Sequence, residues 1–93
     1  MNKDLWFEKN QVNQEFLLMA KINKTEKCLE LRDRQRGELR ADVNIKGEND
    51  WTPIHYAAFN GNSKLVSFLL FHEANIDAMT SSYETPLTLS SQK

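Results

Sequence analysis

The 93-residue chain has the length of one small domain, since single hydrophobic cores typically occupy roughly 50–200 residues. Its 40% hydrophobic and 27% charged residues, with a net charge of −1, exclude a disordered chain and give no general attraction to nucleic acid or anionic membranes. The single cysteine, Cys28, excludes an internal disulfide framework and a metal site with several cysteine ligands, and suits a reducing, intracellular setting.

The first 12 residues carry charges that interrupt every apolar run. We therefore expect neither a signal peptide nor a membrane span, and we expect an intracellular protein, cytoplasmic or nuclear. Residues 1–12 are interpreted as an N-terminal cap segment, in which Leu5 to Phe7 is the apolar part.

Residues 16–20 and residues 26–31 look like two helices of a degenerate repeat unit. Asn13 is predicted to cap the first of them, with Val12 and Leu17 as a hydrophobic staple across the cap.

The two prolines of the chain both follow threonine, in Thr52-Pro53 and Thr85-Pro86, and these pairs lie 33 residues apart. The same spacing relates residues 41–44, Ala-Asp-Val-Asn, to residues 74–77, Ala-Asn-Ile-Asp. A fixed period of this size indicates a stacked repeat, and two separate segments agree on it.

Each Thr-Pro pair predicts the start of a helix, because the Thr hydroxyl can accept a bond from a first-turn amide and Pro lacks an amide that would have no partner there. After the first pair, small apolar residues follow at helical spacing until Gly61, which predicts the end of that helix. Residues 65–70 then predict a second helix with a broader apolar face, capped by Ser63.

Residues 52–61 resemble the ankyrin-repeat motif T-P-L-H-x-A-A-x-x-G. The resemblance implies an all-α solenoid of helix-turn-helix units with short hairpin-like loops, about two and a half repeats long. The residues that match the structural motif are Thr52, Pro53, His55, Gly61, Thr85 and Pro86. On this basis the chain is one domain with a cap segment, a degenerate first repeat, a central repeat and an incomplete third repeat, at residues 1–12, 13–40, 41–79 and 80–93.

The sequence departs from the family pattern where glycine is usual. Asp50 and Tyr83 each stand two residues before a Thr-Pro pair, where the hairpin turn needs a positive φ, and Glu73 replaces a glycine after the second helix. Asp tolerates that conformation, whereas Tyr is a misfit. The first repeat also departs, because Ala20 precedes Ala58 by 38 residues and so implies about five extra residues between positions 32 and 40.

The sequence contains no phosphate loop, paired-cysteine metal spacing or hydrolase motif, and we expect no enzyme activity, cofactor or metal. His55 could serve as a base or a ligand. The resemblance implies instead that it bonds the capping Thr52 and neighbouring loop backbone. Cys28 falls where Val66 lies in the next repeat, so we expect a buried apolar role for it.

The resemblance also implies a protein-binding role through a concave surface made by the hairpin tips and the first helices. The matching candidates here are Glu48, Asn49, Trp51, Phe59 and Asn60. Trp51 has two interpretations, as a binding anchor or as a staple that packs across the cap on Tyr56. The expected partner is another protein of unknown identity. We expect no binding to nucleic acid, and the oligomeric state is left open.

The alternative is that the chain is an N-terminal fragment of a larger protein, such as a channel, scaffold or multidomain enzyme, in which the repeats act as a structural or regulatory arm.

Overall fold

The computed structural model describes residues 3–33 and 40–91, and the predicted long connection after residue 32 lies mostly outside them. Within that part of the chain there are five α-helices, one short 3-10 turn and no strand. This confirms the all-α fold predicted from the repeat. The helices are α1 (Lys3–Lys21), α2 (Thr25–Asp33), α3 (Pro53–Phe59), α4 (Ser63–Phe71) and α5 (Pro86–Ser91), and the 3-10 turn is Glu48–Asp50.

Helix α1 begins at Lys3, so the predicted cap at Asn13 is wrong. No glycine or proline interrupts the polar residues before position 13, and the helix therefore runs through them and includes Leu5 to Phe7. Asn13 is buried in the middle of α1, where its Oδ1 atom accepts a hydrogen bond of 2.7 Å from the backbone amide of Asp42. Its role is to hold the loop after the first repeat against the helix.

Three helices end in the same backbone motif, with a residue of positive φ directly after the helix cap. These residues are Asn23, Gly61 and Glu73, with φ of 66°, 70° and 68°. At each end two amides turn back to carbonyls of the last helical turn, as in the bonds from Glu73 to Leu70 and from Ala74 to Leu69. Helix α4 thus ends in the expected conformation although Glu73 takes the place of glycine.

The helices pack in two rows. The first helices α1, α3 and α5 lie side by side, α2 and α4 lie next to each other behind them, and each pair α1–α2 and α3–α4 is in contact. The core lies between the two rows. Its fully buried members include Phe16, Ala20, Cys28, Ile54, Ala57, Leu65 and Leu69. Alanine at two of these positions, Ala20 and Ala57, lets neighbouring helices approach closely.

Cys28 is completely buried in α2, which confirms the expected packing role. Its thiol lies 3.9 Å from the backbone oxygen of Phe16, and burial raises its pKa from 9.0 to about 12. Since the thiolate is the reactive form, this cysteine is an inert part of the core.

Candidate functional site

Two hairpin loops project from the stack, each directly before a Thr-Pro helix. In the first, the amide of Gly47 donates to the carbonyl of Trp51 at 2.9 Å. In the second, the amide of Thr80 donates to the carbonyl of Glu84 at the same distance. The predicted positive φ is confirmed at both glycine-like positions, with 62° at Asp50 and 63° at Tyr83.

The two hairpins are tied together by one backbone hydrogen bond, from the amide of Ser81 to the carbonyl of Asn49 at 2.9 Å. Asn49 also has a positive φ of 57°, a conformation that asparagine adopts more readily than most residues. Its side chain is exposed while its backbone fixes the distance between the loops.

His55 is fully buried at the base of these loops. Its Nε2 atom lies 2.9 Å from the carbonyl oxygen of Ala78 and 3.1 Å from that of Glu84, which are both acceptors. Nε2 must therefore carry the hydrogen, and Nδ1 accepts from the backbone amide of Thr52 at 2.9 Å. The Thr52 hydroxyl lies 2.9 Å from the same Nδ1 atom. One imidazole thus joins the cap of α3 to both sides of the second hairpin.

The pKa of His55 lies below its ordinary value of 6.5, chiefly because burial disfavours the charged ring. The hydrogen bonds to Ala78 and Glu84 and the charge of Glu84 act in the opposite direction, but they do not offset the burial. The ring is therefore neutral at neutral pH, as its acceptor role at Nδ1 requires. It has no free nitrogen for a metal or for a proton transfer.

Three aromatic rings form a cluster on the side of α3 that faces the first hairpin. The centroid of Trp51 lies 4.8 Å from that of Tyr56 and 5.8 Å from that of Phe59, with the Phe59 ring edge-on at 80°. Trp51 and Tyr56 are half-buried, whereas Phe59 is 37% exposed. Trp51 hence packs across the cap on Tyr56 and still presents part of its ring to solvent.

The other two candidate residues have different surroundings. The side-chain amide of Asn60 donates towards the carbonyl oxygens of Ala20 and Lys21 at 3.3 and 3.4 Å, so it caps the end of α1 from the next repeat. Glu48 is exposed on the 3-10 turn. Burial raises the pKa of Tyr56, and the negative charge of Glu48 raises it further.

A cavity of about 180 Å³ lies beside the cluster, between α1 and the first hairpin. Gly47 stands on its wall, and a Cβ atom there would lie only 2.3 Å from Cδ2 of Leu17. The lining residues are Gln14, Leu17, Leu18, Lys21, Gly47, Glu48 and Tyr56. Sequence reasoning missed the contribution of α1. This contribution could have been predicted, because Leu18 of α1 occupies the position equivalent to Tyr56 of α3. The two residues lie 38 positions apart, which is the offset between the first two repeats.

The profile of the family described as ankyrin repeats (3 copies) matches residues 15–93. The chain belongs to the ankyrin-repeat family. It is 32% identical over 81 residues to ankyrin repeat and protein kinase domain-containing protein 1 of Homo sapiens. The matched segment covers 87% of this chain and 11% of that protein. It is 49% identical over 39 residues to putative ankyrin repeat protein FPV244 of fowlpox virus (strain NVSL). Here the matched segment covers 42% of this chain and 6% of that protein. The chain spans only a small part of the length of either relative.

Ankyrin repeats are in general modules of protein interaction and typically have no enzyme activity. In this ankyrin-repeat chain, the candidates Trp51 and Phe59 come together in the aromatic cluster, and Glu48 and Asn49 lie on the 3-10 turn directly before Trp51. Asn60 instead binds backbone of α1. No helix within residues 3–33 and 40–91 has both the length and the apolar character needed to cross a membrane.

Proposed function

We propose that this ankyrin-repeat chain binds a partner protein through its hairpin face, defined as Glu48, Asn49, Trp51 and Phe59. The observation that carries the proposal is the aromatic cluster, because it brings the partly exposed rings of Trp51 and Phe59 together, and its third member, Tyr56, lines the same cavity as Glu48. Tryptophan and tyrosine are enriched among the residues that contribute most to binding energy.

The cavity between α1 and the first hairpin supports the same face. It lies next to Tyr56 and is lined by Leu17 and Leu18 on one side and Glu48 on another. A depression with apolar walls and a few polar groups at the rim is typical of a site that receives a side chain of a partner.

The rigidity of the loops also supports binding. The bond between Ser81 and Asn49 holds the two hairpins in register, and His55 holds the second hairpin on α3. Side chains on such loops lose less conformational freedom on binding than side chains on loose loops, which favours affinity. The mechanism is therefore presentation of fixed side chains, without bond chemistry.

The test is a binding measurement with the partner recovered from the native extract by the full chain. Phe59→Ala and Trp51→Ala should each weaken binding by about 1 kcal/mol or more. Ser67→Ala is the control, because Ser67 is exposed on α4 away from the hairpin face. Thermal unfolding must be followed in parallel, since Trp51 also packs on Tyr56. Normal binding by both aromatic variants, with loss of binding in the control, would place the partner on the opposite side.

A second candidate function is that of a structural or regulatory arm within a larger protein. It is favoured by the lengths of the two relatives, of which this chain matches 11% and 6%. An immunoblot of the native extract, with an antibody against the first hairpin, would measure the mass of the product. A band far above 10.8 kDa supports the arm, and a band at that mass contradicts it.

A further inference from the structure

The chain contains one Asn-Gly pair, Asn60-Gly61, at the end of α3. In such a pair the backbone nitrogen of glycine can attack the side-chain amide carbon of asparagine, because glycine has no side chain that hinders the approach. Every other asparagine of the chain is followed by a larger residue. By its local chemistry, Asn60 is therefore the asparagine of this sequence that is most reactive towards cyclisation.

The native backbone of the pair prevents this reaction. The succinimide ring closes only when the Gly61 nitrogen eclipses Cβ of Asn60, but ψ of Asn60 is −6°, so that nitrogen eclipses the backbone nitrogen of Asn60 instead. The Gly61 amide also donates to the carbonyl of Ala58 at 3.1 Å, and the next amide, that of Asn62, donates to Ala57 at 2.9 Å. The ring can form only after the end of α3 leaves this conformation.

The first repeat holds the reacting side chain as well. The side-chain amide of Asn60 donates to the carbonyl oxygens of Ala20 and Lys21 at 3.3 and 3.4 Å. Both acceptors lie at the end of α1, which packs against α3. The amide that must react is thus fixed by a different repeat, and opening of the contact between α1 and α3 releases it.

We propose that Asn60-Gly61 is a site of spontaneous deamidation that the contact between α1 and α3 protects. When the contact opens, the Gly61 nitrogen bonds to Cγ of Asn60, and the side-chain nitrogen leaves as ammonia with the proton that Gly61 gives up. Water then opens the succinimide ring and leaves a carboxylate, on a normal or an isoaspartyl backbone. The reaction consumes water and releases ammonia, so it needs no enzyme and no oxidant.

The product weakens the contact that protected the site. The amide of Asn60 donates to two carbonyl oxygens, whereas a carboxylate is only an acceptor and has no hydrogen to donate. The new charge also lies at the C-terminal end of α1, where the helix dipole is already negative. Deamidation therefore hinders the two repeats from closing again, and the pair acts as an irreversible record of their opening.

Deamidation is followed by mass spectrometry of the tryptic peptide of residues 47–64, in which fragmentation separates Asn60 from Asn49 and Asn62. In the chain unfolded by guanidinium, Asn60 should react faster than the other two. In the folded full chain it should react at least roughly tenfold more slowly, as expected when the contact is open less than about a tenth of the time. Absence of reaction in the unfolded chain, or equal rates in both states, would overturn the proposal.

Variants of the first repeat test whether it protects the site. Met19→Ala removes a half-buried side chain that packs on the core from α1, and it should raise the rate at Asn60 by about fivefold or more. Thr25→Val removes an acceptor of the Asn62 side chain and should raise the rate by a smaller factor. Ser67→Ala, at an exposed position of α4, should leave it unchanged. Unchanged rates in both first-repeat variants would refute the protection by α1. If Met19→Ala does not fold, Thr25→Val decides.

Asn60→Asp tests the effect of the product, with Asn60→Ala as the matched control. Both variants lose the donated hydrogen bonds, and only the first adds a negative charge. Hydrogen exchange of the α1 amides should be faster in Asn60→Asp than in Asn60→Ala by about two- to fivefold, the range for a charge of unfavourable sign at a helix end. Equal or slower exchange in Asn60→Asp would contradict the weakening of the contact by deamidation.

Discussion

The two Thr-Pro helices, α3 and α5, begin with the same sequence signature but have different surroundings. Ile54 in α3 is 0% exposed, whereas Leu87, 33 residues later in α5, is 75% exposed. Helix α4 packs against α3, while no second helix packs against α5 within the described residues. The motif determines where a helix starts, and the neighbouring second helix determines whether the residue that follows its proline is buried.

The caps of the two helices differ in the same way. His55 in α3 reaches carbonyls of the next hairpin, whereas the side chain of its counterpart Thr88 is exposed and its hydroxyl lies 3.1 Å from that of Thr85 in its own cap. The histidine thus adds a link between repeats to a cap that threonine only closes locally.

The largest effect is expected from truncation of the two equivalent apolar residues. Ile54→Ala should lower the free energy of unfolding by about 2–5 kcal/mol, because it leaves a cavity in the core. Leu87→Ala should change it by less than about 0.5 kcal/mol, because the residue is exposed. Urea unfolding of both variants gives the two values. Similar losses would mean that Leu87 is covered in solution.

The next effect concerns the two caps. His55→Ala should lower the free energy of unfolding by roughly 1–3 kcal/mol, since it removes the hydrogen bonds that the ring makes to the carbonyls of Ala78 and Glu84 and the acceptor of the Thr52 amide. Thr88→Ala removes only an exposed local bond, so we expect a loss of a few tenths of a kcal/mol. Thermal melts of the two variants against the parent test the difference, and an equal loss would contradict the link between repeats.

Acid should weaken the His55 cap without removing the ring. We therefore expect a smaller loss in the free energy of unfolding than in the His55→Ala variant. The pKa of His55 in the folded chain lies below 6.5, its ordinary value in the unfolded chain. As pH falls through 6.5, the unfolded state takes up the proton first, and the free energy of unfolding decreases until the lower folded pKa is reached. The chain has two histidines, so the His72→Gln variant leaves His55 as the one that remains. Urea titrations between pH 7 and 5 should show the decrease in His72→Gln and a weaker decrease in His55→Ala.

The smallest effect concerns the hairpin before α5. Tyr83→Gly should be neutral or stabilising, because relief of left-handed strain is worth about 1–2 kcal/mol and the entropy of glycine costs up to roughly 1 kcal/mol. The side chain is 82% exposed, so little packing is lost. A clear drop in melting temperature would show that the ring makes a stabilising contact. Asp50→Gly is the matched change in the hairpin before α3.

Much of the fold could be predicted from the sequence, because the 33-residue period, the Thr-Pro pairs and Gly61 are local signals with fixed structural meaning. The resemblance to ankyrin repeats also implied the positive φ at Asp50 and Tyr83. The start of α1 could not be predicted, because polar residues that favour helix mark no boundary where glycine and proline are absent.

The candidate site was less predictable, because its contacts join residues far apart in the chain. Nothing local in the sequence indicates that Asn60 caps α1 or that Asn13 binds the backbone of Asp42. The ring geometry of Trp51 likewise depends on the bend of the first hairpin, which leaves the ring both packed and partly exposed.

The close approach of Leu17 to Gly47 has a consequence for how related chains diverge. A Cβ atom at position 47 would lie 2.3 Å from Cδ2 of Leu17, and the next atom of that side chain, Cγ, is 3.5 Å away. An alanine at position 47 is therefore compatible only with a shorter or displaced side chain at position 17. The two positions should covary among homologues, with glycine paired to leucine and alanine paired to a smaller residue.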